Sequence, residues 1–224
     1  MAASREDIRT LRVDAERNRI RIVEAAEAAF AEHGLGVPLE DVAEDAGVGI
    51  ATLYRRFPSR DDLIAACFER RLEEYAQTAE EALHSPDGWS GFRAYVERVC
   101  EMQAADRGLK DVLTRTFPNA KALEAHRRRG YDLLVQLIER AQAEGSLRPD
   151  FVPEDFVLLL MANAGVVQGS GQSAPDAWRR FLGVMLDGCR TEGAGPLTAP
   201  PTPRQMMRAM RRLVRPASAT RSKS

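Results

Sequence analysis

The stretch "VPLEDVAEDAGVGIATLYRRF", residues 37–57, has the spacing of two short helices joined by a tight turn. Val42 and Leu53 supply one inward-facing apolar side chain from each helix, and Ala43 is small where the second helix crosses the first. Gly47 falls at the turn, where a residue without a Cβ adopts a positive φ at little cost. The spacing predicts a helix-turn-helix over about residues 38–57, with its two helices at the steep angle of many DNA-reading motifs.

The second of these helices, expected over Ile50–Phe57, carries residue types that suit DNA. Arg55 is placed to pair with guanine O6/N7 or with a phosphate. Close approach to base edges, and contact with a thymine methyl group, suit the short or apolar residues Gly49, Ile50 and Ala51. Hydroxyls and cations suit the flanking phosphates, as at Thr52, Tyr54, Arg56 and Arg60. The alternative from spacing alone is a packed helical corner whose arginines are solvated charge.

Residues 37–66, preceded by "IVEAAEAAFAEHGLG" at residues 22–36, resemble the N-terminal domain of the tetracycline-repressor (TetR) family of transcriptional regulators. The similarity covers about Arg17 to Cys67, and its most specific part is "AGVGIATLYRRF" followed by "PSRDDL". The resemblance implies phosphate contacts at Thr52, Tyr54, Arg56 and Arg60. It implies a base-facing set near Glu40, Ile50, Ala51 and Arg55.

The sequence departs from the family pattern in its helix caps and in its charge. Pro38 and Gly49 stand where the family often has a hydroxyl residue before each short helix. Residues 1–70 hold ten arginines and fourteen acidic residues, a net charge of −4. Affinity for DNA must therefore come from the placement of a few arginines rather than from a general basic field. The acidic balance also motivates the alternative of a helical ligand-binding or protein-interaction module that has lost DNA binding.

The whole chain has helical periodicity and no sustained strand pattern, which predicts an all-α fold. We expect an N-terminal three-helix helix-turn-helix domain followed by a C-terminal helical ligand-binding and dimerisation bundle. The expected units are a flexible arm (1–13), the DNA-binding domain (14–67), the regulatory domain (68–191), and a Pro/Gly linker with a basic tail (192–224). The helices are expected over about 14–33, 39–46, 50–57, 59–83, 89–106, 109–117, 120–144, 154–167, 175–189 and 205–215.

The resemblance implies partners for the regulatory domain. A homodimer would pair the helices Glu154–Val167 and Pro175–Cys189 of two copies as a four-helix bundle and read a pseudo-palindromic double-stranded DNA operator. The domain would also hold an unidentified small-molecule effector. The candidate pocket residues are Phe92, Tyr95, Met102, Phe117, Tyr131, Met161, Asn163 and Gln168. Aromatic and methionine residues at this spacing also suit an ordinary core, whereas a buried amide needs a partner.

The tail from Arg204 onward is basic and contains no acidic residue, which suits contact with DNA phosphates, an acidic surface, or a loosely docked segment. Its basic residues are Arg204, Arg208, Arg211, Arg212, Arg215, Arg221 and Lys223.

Composition excludes several other classes of protein. The chain has 224 residues, a formal net charge of −1 and no apolar run long enough for a membrane span, so a cytoplasmic location is expected. Cys67, Cys100 and Cys189 are scattered, which is typical of buried reduced thiols rather than of disulfides or zinc ligands. The three histidines have no metal-ligand spacing, and no nucleophile has an evident base. We therefore predict no catalytic residue, no metal and no cofactor.

Overall fold

The computed structural model describes residues 5–115, 117 and 120–212, and within these ranges the protein is helical. The all-α prediction is confirmed, since the described residues contain one isolated bridge, between Leu147 and Arg190, and no strand. The helices are α1 (Arg5–His33), α2 (Leu39–Asp45), α3 (Ile50–Arg56), α4 (Arg60–Leu83), α5 (Gly88–Ala105), α6 (Arg107–Thr114), α7 (Lys121–Ala143), α8 (Pro153–Ser170), α9 (Ala177–Cys189) and α10 (Pro203–Arg212).

Helix α1 is longer than the sequence indicated. The expected flexible arm over residues 1–13 is helical from Arg5 onward, while residues 1–4 lie outside the described part. No glycine or proline interrupts the sequence between Arg5 and His33, and extending an existing helix requires no new nucleus. The helix ends at Gly34, which has a φ of +77° and donates its N–H to the Phe30 carbonyl at 2.9 Å.

Helix α4 leads from the N-terminal helices into the rest of the molecule. It begins with a cap at Ser59, whose Oγ accepts the Asp62 N–H at 3.2 Å while the Asp62 carboxylate accepts the Ser59 N–H at 3.0 Å. Further along, α4 packs closely against α7. A Cβ on Gly130 of α7 would lie 2.3 Å from the Tyr75 ring, so a glycine is needed for this close approach.

One apolar core runs through the N-terminal helices and the regulatory helices. The rings of Phe30 in α1 and Phe68 in α4 are stacked with their centroids 6.2 Å apart. Gly108 of α6 completes this contact, because a Cβ there would lie 2.6 Å from the Phe68 ring and 3.0 Å from the Phe30 carbonyl. The expected domain boundary near residue 67 therefore falls inside α4 and inside a continuous core.

The segment after α9 is anchored before it reaches α10. Arg148 binds Asp150 through two nitrogens and donates to the carbonyls of Gly188 and Gly195. Helix α10 begins at Pro203 rather than at Gln205, because Thr202 and Gln205 form a capping box. Residues 213–215 of the expected C-terminal helix, and the basic residues Arg215, Arg221 and Lys223, lie outside the described residues.

Candidate nucleic-acid interface and effector cavity

The turn between α2 and α3 requires a glycine. Gly47 has a φ of +62°, and its N–H donates to the Glu44 carbonyl at 2.8 Å. The Val48 N–H donates to the Ala43 carbonyl at 2.9 Å, which closes the corner. A Cβ on Gly47 would lie 2.3 Å from the Arg21 guanidinium. The helix-turn-helix geometry predicted from the spacing is therefore present.

Helix α3 presents most of its surface to solvent. Leu53 is its one buried residue, and it fixes α3 on α2 and the rest of the core. Ala51, Tyr54, Arg55 and Arg56 are exposed, whereas Ile50 and Thr52 are half-buried. The Arg55 guanidinium donates to the Thr52 hydroxyl at 3.2 Å, which orders it along the helix. The predicted base and phosphate contacts on α3 thus share one short helix.

The acidic residues of α2 do not enter the core. Its buried residues are Leu39, Val42 and Ala43, while the exposed ones are Glu40, Asp41, Glu44 and Asp45. Neither the cap of α2 at Pro38 nor that of α3 at Gly49 includes a side-chain hydrogen bond. Glu40 lies in the first turn of α2, and its predicted base-facing role stays a prediction.

Arg60 has a structural partner that sequence reasoning missed. Its Nη1 donates to the carbonyls of Leu35, at 2.9 Å, and Val37, at 2.8 Å. The side chain therefore ties the loop between α1 and α2 to the start of α4. A phosphate contact at Arg60, as predicted, would share a guanidinium that is already engaged in this loop.

Two further arginines of α1 lie close to the helix-turn-helix. The Arg19 guanidinium is 5.7 Å from the centroid of the Phe57 ring, and Arg21 lies against Gly47. Both arginines are exposed. Sequence reasoning missed them because their proximity comes from packing between helices rather than from local spacing.

Helix α6 joins the regulatory helices to the loop after α1. The Asp111 carboxylate accepts the Leu35 N–H at 3.0 Å through Oδ2 and pairs with Arg115 at 3.0 Å through Oδ1. Arg107, at the start of α6, donates to the Glu32 carbonyl at 3.1 Å. The backbone of Leu35 is therefore held from both sides, by Asp111 of α6 at its N–H and by Arg60 of α4 at its carbonyl.

A cavity of about 780 Å³ lies between α4, α6, α7, α8 and α10. This volume is in the range of small-molecule sites. Its apolar and aromatic lining residues are Tyr75, Leu113, Ala125, Tyr131, Leu134, Pro153, Phe156, Val157, Leu160, Pro203, Met206, Met207 and Met210. Its charged lining residues are Lys121, Glu124, Arg127, Arg128, Asp132 and Glu154.

Of the eight predicted pocket residues, Tyr131 lines this cavity and the other seven do not. Four of those seven belong to the packed interior. Phe92 meets Phe151 edge-on at 5.3 Å, and Tyr95 stacks on Phe156 at 5.5 Å. Phe117 and Asn163 are buried as well. The remaining three are the half-buried Met102 and Met161 and the exposed Gln168.

Of the two amide residues predicted in the pocket, Asn163 is buried outside this cavity and Gln168 is exposed. Asn163 is fully buried, and its Nδ2 donates to Oε1 of the buried Gln103 at 3.1 Å. Among the described residues, Gln103 Nε2 and Asn163 Oδ1 have no hydrogen-bond partner. Gln168 lies on the open surface of α8. Its exposure could not be predicted, because helical periodicity gives the direction of a side chain only relative to its own helix.

The cysteines are buried free thiols, as expected. Burial raises the pKa of Cys67 and of Cys100 to about 12 and that of Cys189 to about 11. Within the described part of the chain, no group of three His, Cys, Asp or Glu side chains is placed to hold a metal ion. No described helix is long and apolar enough to span a bilayer.

Comparison with protein families matches both parts of the chain. Residues 22–67 match the model of bacterial regulatory proteins of the tetR family, and residues 88–191 match that of the C-terminal domain of SbtR-like transcriptional regulators. The chain belongs to the TetR family. This TetR-family protein is accordingly a DNA-binding transcriptional regulator, and the family is not an enzyme class.

Individual relatives agree with the family. A transcriptional repressor of Streptomyces coelicolor, SCO4008, is 27% identical over 165 residues, which cover 69% of this chain and 81% of that protein. The regulatory protein RaaS of Mycobacterium tuberculosis is 37% identical over 86 residues, 38% of this chain and 41% of RaaS. The crystal structure of RolR with resorcinol shares the fold, with a TM-score of 0.53 and 19% identity over 84% of this chain and 98% of RolR.

Proposed function

We propose that this TetR-family regulator is a homodimeric repressor that binds a pseudo-palindromic operator and releases it when a small molecule occupies the cavity. The exposed surface of α3 carries the proposal. It presents Tyr54, Arg55 and Arg56 on a helix that Leu53 and the Gly47 turn hold in place. The cationic and hydroxyl side chains bind phosphates and a base edge, and the short residues at the start of α3 let the helix approach the groove.

The dimer forms through the open sides of α8 and α9. Leu158 of α8 is 43% exposed and Val184 of α9 is 60% exposed, so each helix has an apolar side that the described residues leave uncovered. A Cβ on Gly165 of α8 or Gly188 of α9 would meet nothing within 4 Å. A second copy related by a two-fold axis covers this surface, and the same axis relates the two α3 helices. A two-fold dimer reads two half-sites of opposite orientation, which is why the operator is pseudo-palindromic.

The effector acts through the two helices that link the cavity with Leu35. Tyr75 and Leu113, which line the cavity, belong to α4 and α6. The same two helices hold the Leu35 carbonyl and N–H through Arg60 and Asp111. A ligand that shifts α4 or α6 therefore moves the loop that precedes α2, and it favours a dimer whose two α3 helices do not fit the operator.

Two relatives support the repressor and effector parts of the proposal. SCO4008 is named as a repressor, and RolR is described in a complex with resorcinol. Both statements concern those proteins, and neither identifies the effector of this chain.

The test is fluorescence anisotropy of the full-length protein with duplexes tiled across the DNA upstream of its own gene, at two salt concentrations. We expect saturable binding to one short near-palindromic stretch, weakened by salt because bound phosphates release counterions. Arg55→Ala/Arg56→Ala is expected to lower operator affinity at least 100-fold while the protein remains a folded dimer. Arg93→Ala/Arg98→Ala, a pair of exposed arginines on α5 away from the cavity, serves as the control.

Binding without sequence preference, or equal losses in both double variants, would contradict the assignment of α3. Flat traces on every duplex, followed by an empty genome-wide selection, would favour the module that has lost DNA binding.

A further inference from the structure

Helix α10 forms one wall of the cavity. Met206 and Met210, one turn apart, are 5% and 6% exposed, and both line the cavity together with Pro203 and Met207. The opposite side of α10 is exposed and cationic, with Arg204, Arg208 and Arg211 in solvent. The helix is thus amphipathic and packs against α8, with its apolar side towards the cavity.

The connection to α10 is suited to movement of the whole helix. The chain is fixed at Gly195, whose carbonyl accepts a hydrogen bond from Arg148 at 2.6 Å. Between that anchor and the capping box at Thr202, residues 196–201 have the sequence "PLTAPP", and 196–200 are exposed. A proline-rich connector of this length is a semi-rigid spacer, so α10 can leave the cavity as a unit while the core stays intact.

The charges at the cavity balance. Three cations (Lys121, Arg127 and Arg128) face three carboxylates (Glu124, Asp132 and Glu154), and Arg127 already pairs with Glu124 at 3.2 Å. These lining charges sum to zero and therefore give no net preference for an anion or a cation. The walls are aliphatic, aromatic and methionine side chains, and methionine adapts to ligands of different shape.

We propose that α10 is the entry gate and one binding wall of the effector site, and that this site takes neutral, apolar molecules of drug-like size. The proposal rests on the proposed function in one respect, that the cavity holds the effector. The ligand enters when α10 lifts on its connector, and the helix then closes with its three methionines against the bound molecule.

The test uses the neutral fluorescent probe N-phenyl-1-naphthylamine and the full chain in stopped flow. In the wild-type protein the observed binding rate is expected to reach a plateau with increasing probe, because opening of α10 becomes limiting. In Met206→Glu/Met210→Glu the charged side chains release α10, so the plateau should disappear and the affinity should fall at least tenfold. Ala209→Glu adds a charge on the exposed side of the same helix and should behave like the wild type. The anionic probe 8-anilinonaphthalene-1-sulfonate should bind at least tenfold more weakly than the neutral one.

Amide hydrogen exchange of the wild-type protein gives a second readout that needs no variant. The neutral probe should slow exchange in residues 203–212 more than in α5. Three results would each overturn the gate: a binding rate that stays linear in probe concentration, equal probe affinities of Met206→Glu/Met210→Glu and Ala209→Glu, or unchanged amide exchange in α10. Equal binding of both probes, or no binding of the neutral one, would overturn the ligand class.

Operator anisotropy without probe, on the same samples, separates this proposal from the proposed function. If the protein fails the probe test but still binds the operator, the gate proposal is rejected and the proposed function stands. If the wild-type protein shows no specific operator binding, the proposed repressor function is rejected, and the probe result is unaffected.

Discussion

Gly47 and Gly49 lie two residues apart in the helix-turn-helix, but only the first has a backbone that glycine alone adopts easily. Gly47→Ala should destabilise the protein by roughly 1–2 kcal/mol, the cost of a left-handed conformation for a residue with a Cβ. The added methyl group would also displace the Arg21 guanidinium, which lies 2.3 Å from its position. Thermal unfolding followed by circular dichroism measures the change.

Gly49→Ala is the matched control for that substitution. Gly49 has a φ of −71°, and a Cβ there would have no neighbour within 4 Å. The weaker capping by alanine and the lower entropy of the unfolded chain oppose each other, so stability should change by less than about 0.5 kcal/mol. Equal losses at both positions would show that the turn does not depend on a positive φ.

The buried thiols give a prediction about pH. Cys67 and Cys100 have folded pKa values of about 12 against 9.0 for a free thiol, because burial disfavours the thiolate. Their protonated form is therefore favoured by folding at all pH values below 9. As the pH rises from 9 towards 12, the unfolded chain ionises first, and each thiol should lower the free energy of unfolding by about 1.4 kcal/mol per pH unit.

Urea unfolding at pH 8 and pH 10 measures this loss, with Cys67→Ala/Cys100→Ala as the variant whose dependence on pH should be shallower. Ellman's reagent gives an independent check at pH 8. The native protein should react at least 100-fold more slowly than the guanidinium-unfolded chain, and rapid labelling of the native protein would contradict the burial of these thiols.

Individual elements differ in how well the sequence predicts them. Features that depend on neighbouring residues in the chain can be predicted, whereas contacts between residues far apart in the chain cannot. The capping box at Ser59, the turn at Gly47 and the approximate bounds of the helices follow from residues within a few positions of each other. The extension of α1 to Arg5 and the start of α10 at Pro203 show that the sequence predicts the presence of a helix better than its first residue. The contact of Arg60 with Leu35 spans 25 positions, and no local pattern predicts it.

The site divides in the same way. The α3 residues were predicted as a group because they are adjacent on one helix. The cavity was predicted poorly: of the eight candidates only Tyr131 lines it, because which side of a helix faces a gap depends on how the other helices pack. Met206 and Met210 are spaced one helical turn apart in the sequence, but their place in a cavity wall depends on how α10 packs in the fold.

The contact between α6 and the loop after α1 is the element-scale test of coupling. Asp111→Ala leaves the buried Leu35 N–H without its acceptor, which should lower stability by about 1–3 kcal/mol and expose that amide to exchange. Asp111→Asn keeps an acceptor oxygen and removes the charge that pairs with Arg115. It should keep the Leu35 amide protected and lose less stability.

Urea unfolding and amide exchange measured by NMR distinguish the two variants. If Asp111→Ala left the Leu35 amide as protected as in the wild type, the hydrogen bond would not hold this loop. Effector response should fall in Asp111→Ala and be retained in Asp111→Asn, since only the former disconnects α6 from Leu35.

At the scale of the whole molecule, the continuous core bears on coupling within one chain, and the open sides of α8 and α9 bear on association of two chains. The core is continuous from Ile22 to Cys189, and close packing of this kind is what the proposed coupling of the cavity to the helix-turn-helix requires. The apolar sides of α8 and α9 have no such partner within residues 5–115, 117 and 120–212. Operator recognition by two α3 helices at once then depends on association of two chains.

Val184→Glu places a charge on this open apolar surface and should prevent dimerisation. Size-exclusion chromatography with light scattering should give a mass near 24.8 kDa, the mass of one chain, instead of twice that value. Operator affinity should fall at least 100-fold, because two half-sites are no longer bound by one molecule. Leu197→Glu is the matched control, since Leu197 is 59% exposed in the linker and Val184 is 60% exposed on α9. A dimer with intact operator affinity in Val184→Glu would place the interface elsewhere, whereas a monomer that still bound the operator at full affinity would show that a single α3 is sufficient.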